Sequence, residues 1–159
     1  MSPRLGRRVP LIAKLGRARE LSGAEWIVLF QASALLLGVE LGLRLLPLRA
    51  LLVLLDRWGR SRRLTRGGIS PARIALLVGV MSRAQRATCL RQALALYGLL
   101  RRRGFEARLV VGAEKAGGEL EAHAWVEYRG QVLPASPRAL ELQPLLRWGA
   151  VGLEGHRSE

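Results

Sequence analysis

The hydrophobic period of this chain changes once, at Gly104, and that change limits the folds open to it. Upstream, apolar residues recur at helical spacing: Ile74, Leu77, Val78 and Met81 share one helix face, and Leu90, Ala93, Leu94, Tyr97 and Leu100 share another. Downstream the period is two. Residues 106–111 predict a strand, residues 121–128 a second strand with alternating apolar positions, and residues 131–133 the returning strand of a hairpin turned at Arg129-Gly130. Helices first, then a small antiparallel sheet, predict an α+β fold. With 159 residues, half of them apolar, the chain suits one domain with a proper core.

Local punctuation divides the chain further. Ser22 with Glu25 three residues on is a capping-box pattern, opening an apolar run over 26–46 that Pro47 ends. Glu40 and Arg44 interrupt this run, and its longest uncharged stretch has 14 residues, nearer a buried core helix than a bilayer crossing. A second apolar segment, 48–55, leads into a basic stretch, 57–66. Gly67-Gly68 marks a break, and Ser70-Pro71 predicts a capped helix to about Ser82. The next helix starts near Cys89, carries Arg101–Arg103 at its negative end and stops at Gly104. Residues 112–118 predict a polar loop. Ser136-Pro137 predicts a short last helix to about Trp148, interrupted by Pro144. The expected plan is a basic segment over 1–21, one domain over 22–149 with a leucine-rich helical part (22–66) and a part holding the chemistry (70–149), and a tail over 150–159.

The formal charge of +14 directs attention to anionic partners. All but two of the 26 basic residues are arginines, spread along the whole chain, and no aromatic interleaves with a basic cluster to make a base-stacking platform. Specific nucleic-acid binding is therefore not the expectation. An acidic peptide, a partner protein or an anionic membrane surface suits the charge at least as well, and the two leucine-rich segments leave an interfacial membrane contact open.

Cys89 is the only cysteine, which excludes an intramolecular disulfide and a cysteine-rich zinc site; no metal or cofactor is expected. No signal-peptide pattern follows Arg4, Arg7 and Arg8, so a reducing cytoplasm is the expected setting. Cys89 stands where a helix begins, the position that favours a thiolate and supplies amides for an oxyanion. His123 lies thirty-four residues on, in the strand Ala122-His-Ala-Trp-Val-Glu-Tyr128, with Trp125 and Glu127 on its face and Ala122 and Ala124 on the other. A buried packing thiol and a structural histidine remain the plain alternatives. Together the pair has the make-up of a nucleophile and its base.

The stretch Cys89-Leu-Arg-Gln-Ala-Leu-Ala-Leu-Tyr-Gly-Leu-Leu-Arg-Arg-Arg-Gly-Phe105, then Ala107-Arg-Leu-Val-Val-Gly112, Ala122-His-Ala-Trp-Val-Glu127 and Gly130-Gln-Val-Leu133, resembles the B2 leader peptidases of lasso-peptide biosynthesis. The upstream leucine-rich region, with Leu45-Leu-Pro-Leu-Arg49, is similar to the helical part that precedes the catalytic part in that family, so the resemblance covers about residues 22–137. It implies a transglutaminase-like (papain-like) single domain and a cysteine protease that removes the leader from a ribosomally made precursor. It implies three partners: the precursor leader peptide, a separate leader-binding protein of the B1 type, and an ATP-dependent cyclase that closes the macrolactam on the freed amine. Carried over by position, Cys89 matches the nucleophile and His123 the base.

The third catalytic position departs from the pattern. The family places an aspartate about twelve residues after the histidine, where this chain has Ala135, and the only aspartate, Asp56, lies far upstream. Glu127 shares the His123 face but sits about 13 Å along a regular strand. Ser136 would approach the imidazole if the hairpin register permits, and Glu141 only if the last segment folds back. Three readings follow: a working Cys–His dyad, a substitute third group at Ser136, or a catalytically degenerate scaffold that binds precursor or cyclase.

Overall fold

The computed structural model describes residues 21–61, 68–116, 119–135, 139, 142–149 and 152–155. Four helices come first: α1 (Gly23–Leu45), α2 (Leu48–Ser61), α3 (Pro71–Ala84) and α4 (Cys89–Arg102). Five strands follow: β1 (Ala107–Ala116), β2 (Glu119–Tyr128), β3 (Gln131–Leu133), β4 (Gln143–Gly149) and β5 (Gly152–Gly155). They form one sheet in the order β3-β2-β1-β4-β5, with every neighbouring pair antiparallel.

The helix ends follow their local chemistry. The Ser22 side chain accepts from the Glu25 amide while Glu25 accepts from the Ser22 amide at 2.8 Å, a complete capping box. That amide bond, then Arg73, hold the Glu25 carboxyl below the usual carboxylate range. Ser70 caps α3, with Pro71 as its first residue, and Thr88 caps α4 through a bond to the Arg91 amide. Gly104, at φ +75°, takes the left-handed turn that closes α4, and the Phe105 amide reaches back to the Leu100 carbonyl.

Helix α4 lies at the centre. Residues 93–100 are all buried, and α4 packs on α1, α2, α3, β1 and β2. Such a helix is apolar around its whole girth because it has no solvent face. Each of its four fully buried leucines contributes about 1.5–3 kcal/mol of burial free energy. The helix-facing side of the sheet supplies Ala107, Leu109, Ala124, Val126 and Leu133 to the same core. A smaller cluster on the other face joins Val110 and Trp125 to Ala139 and Leu142. The period-two alternation thus buries both faces of the central strands.

Three boundaries differ from the sequence expectation. The polar stretch 112–118 is strand as far as Ala116, because β1 and β2 stay paired from Ala107↔Tyr128 out to Ala116↔Glu119. Its sequence, Gly112-Ala-Glu-Lys-Ala-Gly-Gly118, has charges and glycines and no apolar alternation to mark it as strand. The expected last helix is β4. Its pairing with β1 shifts between Val111 and Gly112 so that Leu145 is an extra, exposed residue. Among the described residues β5 pairs with 146–149 and Pro144 has no strand neighbour on that side, where its missing N–H is tolerated. β5 also carries the sheet to Gly155, into the stretch expected as tail.

For helix α1 the sequence expectation is a core helix rather than a bilayer crossing. By length and composition it could cross a bilayer, although Glu40 and Arg44 fall within it. Its inner face is nevertheless built into the domain, with Val28, Ala32, Leu36 and Val39 buried against the core.

Candidate active site

The nucleophile candidate is fixed by the most deeply packed element of the fold. Cys89 is the first residue of α4, half-buried and free. Thr88 accepts from the Arg91 amide, and the Gln92 amide bonds the Thr88 carbonyl. Among the described residues this leaves the Cys89 and Leu90 N–H groups without an acceptor in the chain. They sit at the positive end of the helix dipole, and no acidic residue occupies the first turn.

His123 comes from β2, opposite Gly112 of β1. It borders a cavity of about 60 Å³ together with Cys89, Gln92, Ala93, Ala124, Trp125, Leu133 and Pro134. That volume holds a few waters, so Cys89 and His123 border one small gap. The two residues, thirty-four positions apart, border the same cavity because α4 packs directly on β2.

The nearest ordering group for the imidazole is aromatic. The Trp125 ring stacks on His123 with centroids 6.5 Å apart and planes inclined by 25°. Trp125 is itself held twice. Its indole N–H donates to Glu127 Oε1 at 3.2 Å, and its six-membered ring lies over Gly112, where a Cβ would stand 2.7 Å from Trp125 Cη2. His123, Trp125 and Glu127 therefore form a line along one face of β2, in the alternation expected from the sequence. Glu127 reaches Trp125, not the imidazole.

The other carboxylates are accounted for differently. Asp56, on α2, accepts from Tyr97 Oη at 3.2 Å, from Arg101 Nη2 at 2.9 Å and from Arg60. It is engaged with the C-terminal half of α4, about 18 Å along the helix from Cys89. Burial, then the Asp56 charge, push the Tyr97 phenol well above its ordinary pKa. Ala135 is exposed, two residues beyond the end of β3. The β2–β3 register pairs Val126 with Leu133. Continued, it would set position 136 opposite His123, but β3 stops at Leu133, and Ser136 and Glu141 lie outside the described residues. Among the described residues no carboxylate bonds the imidazole, and no cluster of three metal-ligating side chains occurs.

Sequence reasoning overlooked Gln92 and the Leu133-Pro134 wall. Gln92 stands three residues after Cys89, a spacing that places both on one helix face. Its Nε2 comes 3.7 Å from where a Cβ on Gly79 of α3 would stand. A larger cavity, about 550 Å³, lies at the far end of α4 between Arg60, Arg101, Arg108, Arg129, Glu106 and Glu127. Neither Cys89 nor His123 lines it.

A cysteine at the start of a central helix, with a histidine of the adjoining antiparallel sheet at the same cavity, fits a papain-like α+β class. Within that class, the transglutaminase-like superfamily matches residues 33–147, nearly three quarters of the chain, and the protein belongs to it. That superfamily includes cysteine peptidases. No curated protein and no solved structure gives a match.

Proposed function

We propose that this protein is a cysteine peptidase that removes the leader from a ribosomally made lasso-peptide precursor. The observation carrying the reading is that Cys89, at the start of α4, and His123, on β2, border the same small gap in a transglutaminase-like domain. The similarity of the Cys89 helix and the His123 strand to lasso leader peptidases supplies the substrate class.

The chemistry follows from the groups present. His123 takes the proton of Cys89 as Sγ attacks the carbonyl of the last leader residue. The Cys89 and Leu90 N–H groups stand where donors to the developing oxyanion are needed. On collapse the C–N bond breaks, and His123 passes its proton to the leaving amine, the new N-terminus of the core. Water, deprotonated by His123, then releases the leader as a carboxylic acid and regenerates the thiol. A leader-binding partner presents the precursor, and a cyclase consumes the freed amine. A reducing cytoplasm keeps the single thiol available.

The test is cleavage of precursor by the full chain with the leader-binding protein, followed by mass spectrometry. Cys89→Ala and His123→Ala are both expected to abolish leader release; unchanged cleavage by Cys89→Ala ends the peptidase reading. One observation favours a second reading, a scaffold of this fold that binds precursor or cyclase without cutting: position 135 holds alanine. Alkylation of Cys89 as a function of pH separates the two. An inflexion near roughly 8.5, the free-thiol value, supports the scaffold, and a markedly more acidic one supports the enzyme.

A further inference from the structure

The outer face of α1 is an uninterrupted apolar stripe that the fold leaves uncovered. Ile27, Phe30, Ala34, Leu37, Leu41 and Leu45 follow one another at three- and four-residue steps, and all six are exposed, Phe30 at 79% and Leu45 at 71%. The stripe runs about 27 Å along the helix. Trp26 and Arg44 border it on the same flank, one near each end. A soluble chain rarely leaves a continuous apolar strip of this length to water without a use.

The inner side of α1 is fastened to the domain along its length. Glu25 pairs with Arg73 at 2.6 Å, Arg103 donates to Gln31 at 3.1 Å, Gln85 donates to Ser33 Oγ at 2.8 Å, and Glu40 pairs with Arg91 at 2.7 Å. Threading α1 through a bilayer would break all four contacts and bare the core residues beneath it. A surface that accepts the stripe must therefore lie parallel to the helix.

Charge identifies the surface. Residues 1–66 hold thirteen of the 26 basic residues but only four acidic ones, a net +9 of the total +14. Six of those basic residues lie within the twenty residues upstream of α1: Arg4, Arg7, Arg8, Lys14, Arg17 and Arg19. An apolar face that follows a polybasic stretch in the sequence, with Trp and Arg at its border, is the combination that holds a protein on anionic lipid. The stripe has no polar group to set the register that a protein partner would need, whereas a lipid surface needs none.

We infer that this protein docks peripherally on an anionic phospholipid bilayer, with the Phe30–Leu37–Leu41 face of α1 set into the interface and the chain's excess positive charge drawing it to the headgroups. The experiment is flotation of the purified full chain with phosphatidylcholine–phosphatidylglycerol vesicles and with pure phosphatidylcholine vesicles, over a range of salt. The wild type is expected to float with the anionic vesicles, with binding that weakens as salt rises. Phe30→Glu/Leu37→Glu, and the milder Phe30→Ser, are expected to lower the partition constant about tenfold or more. Both variants are expected to keep the wild-type circular dichroism and the wild-type rate on a soluble peptide, because neither residue touches the Cys89–His123 gap. Failure of the wild type to float, or equal flotation of the double variant, overturns the inference. So does a wild-type dimer in sedimentation that the double variant dissolves without any vesicle binding, which would make the stripe a contact between copies.

Discussion

Replacing Asp56 by alanine would leave three donors of the α2–α4 seam without their shared acceptor. The Asp56 and Arg101 side chains are only 13% and 11% exposed, so their pairing is little screened by water. Stranding one partner of a buried ion pair costs about 3–5 kcal/mol. The Tyr97 hydroxyl, buried and bonded to the same carboxylate, would add about 1–3 kcal/mol if it found no other acceptor. Arg60, with most of its side chain in water, adds under about 1 kcal/mol. These losses share one carboxylate and do not sum. The expected destabilisation is about 3–5 kcal/mol in urea unfolding followed by circular dichroism, or a Tm lower by roughly 6–20 °C. Asp56→Ala/Arg101→Met should recover part of the loss, because the stranded charge goes with the arginine. Cleavage per folded molecule should not change, since Asp56 belongs to the far end of α4. A loss below about 1 kcal/mol, or a double variant no more stable than the single, would refute this account of the seam. Loss of cleavage in a fully folded Asp56→Ala would show that the only aspartate serves the site after all.

Three further outcomes follow from the same structure. Ala135→Asp restores a carboxylate at the position where the resembling family has one and is expected to raise kcat/KM for precursor about tenfold; an unchanged rate would mean this position does not limit the imidazole. Gly112→Ala puts a Cβ 2.7 Å from Trp125 Cη2 and 2.9 Å from the Gln143 carbonyl. It should cost about 1–3 kcal/mol, shift the tryptophan fluorescence and lower kcat by displacing the ring that stacks on His123; wild-type values of all three would refute the clash. The third outcome concerns alkaline pH. The folded state raises the Tyr97 phenol pKa, so above about pH 10 it keeps a proton that the unfolded chain gives up. That contribution to stability is whole below about pH 10 and falls as pH rises further. Tyr97→Phe should be less stable near neutrality yet flatter in its alkaline pH dependence, measured by urea midpoints at successive pH values.

Much of the helical half was legible because capping is a short-range event. Ser22 with Glu25, Ser70 with Pro71, and Gly104 each satisfy terminal backbone groups within a few residues, and α1, α3 and α4 start or stop where those residues stand. The sheet was legible only where it touches the core. Leu109-Val110 and Ala124-Trp125-Val126 are short apolar runs because both faces of the central strands are buried there, whereas the stretch 112–118 has charges and glycines and no apolar pattern to read. Residues 143–149 were misread as helix because their partner is β1, more than thirty residues earlier, and a sequence window does not contain a partner at that distance.

The candidate site divides along the same line. That Cys89 begins a helix and that His123 shares a strand face with Trp125 and Glu127 are local facts, determined by capping and by the two-residue period. The tertiary structure decided what those side chains meet. Packing of α4 on β2 brings Cys89 and His123 to one gap, Gly112 makes room for the ring that stacks on His123, and the α2–α4 seam claims Asp56 for stability. The reason is physical: backbone periodicity and caps act over three or four residues, whereas the partners of a buried or reactive group are set by which surfaces of distant segments are pressed together.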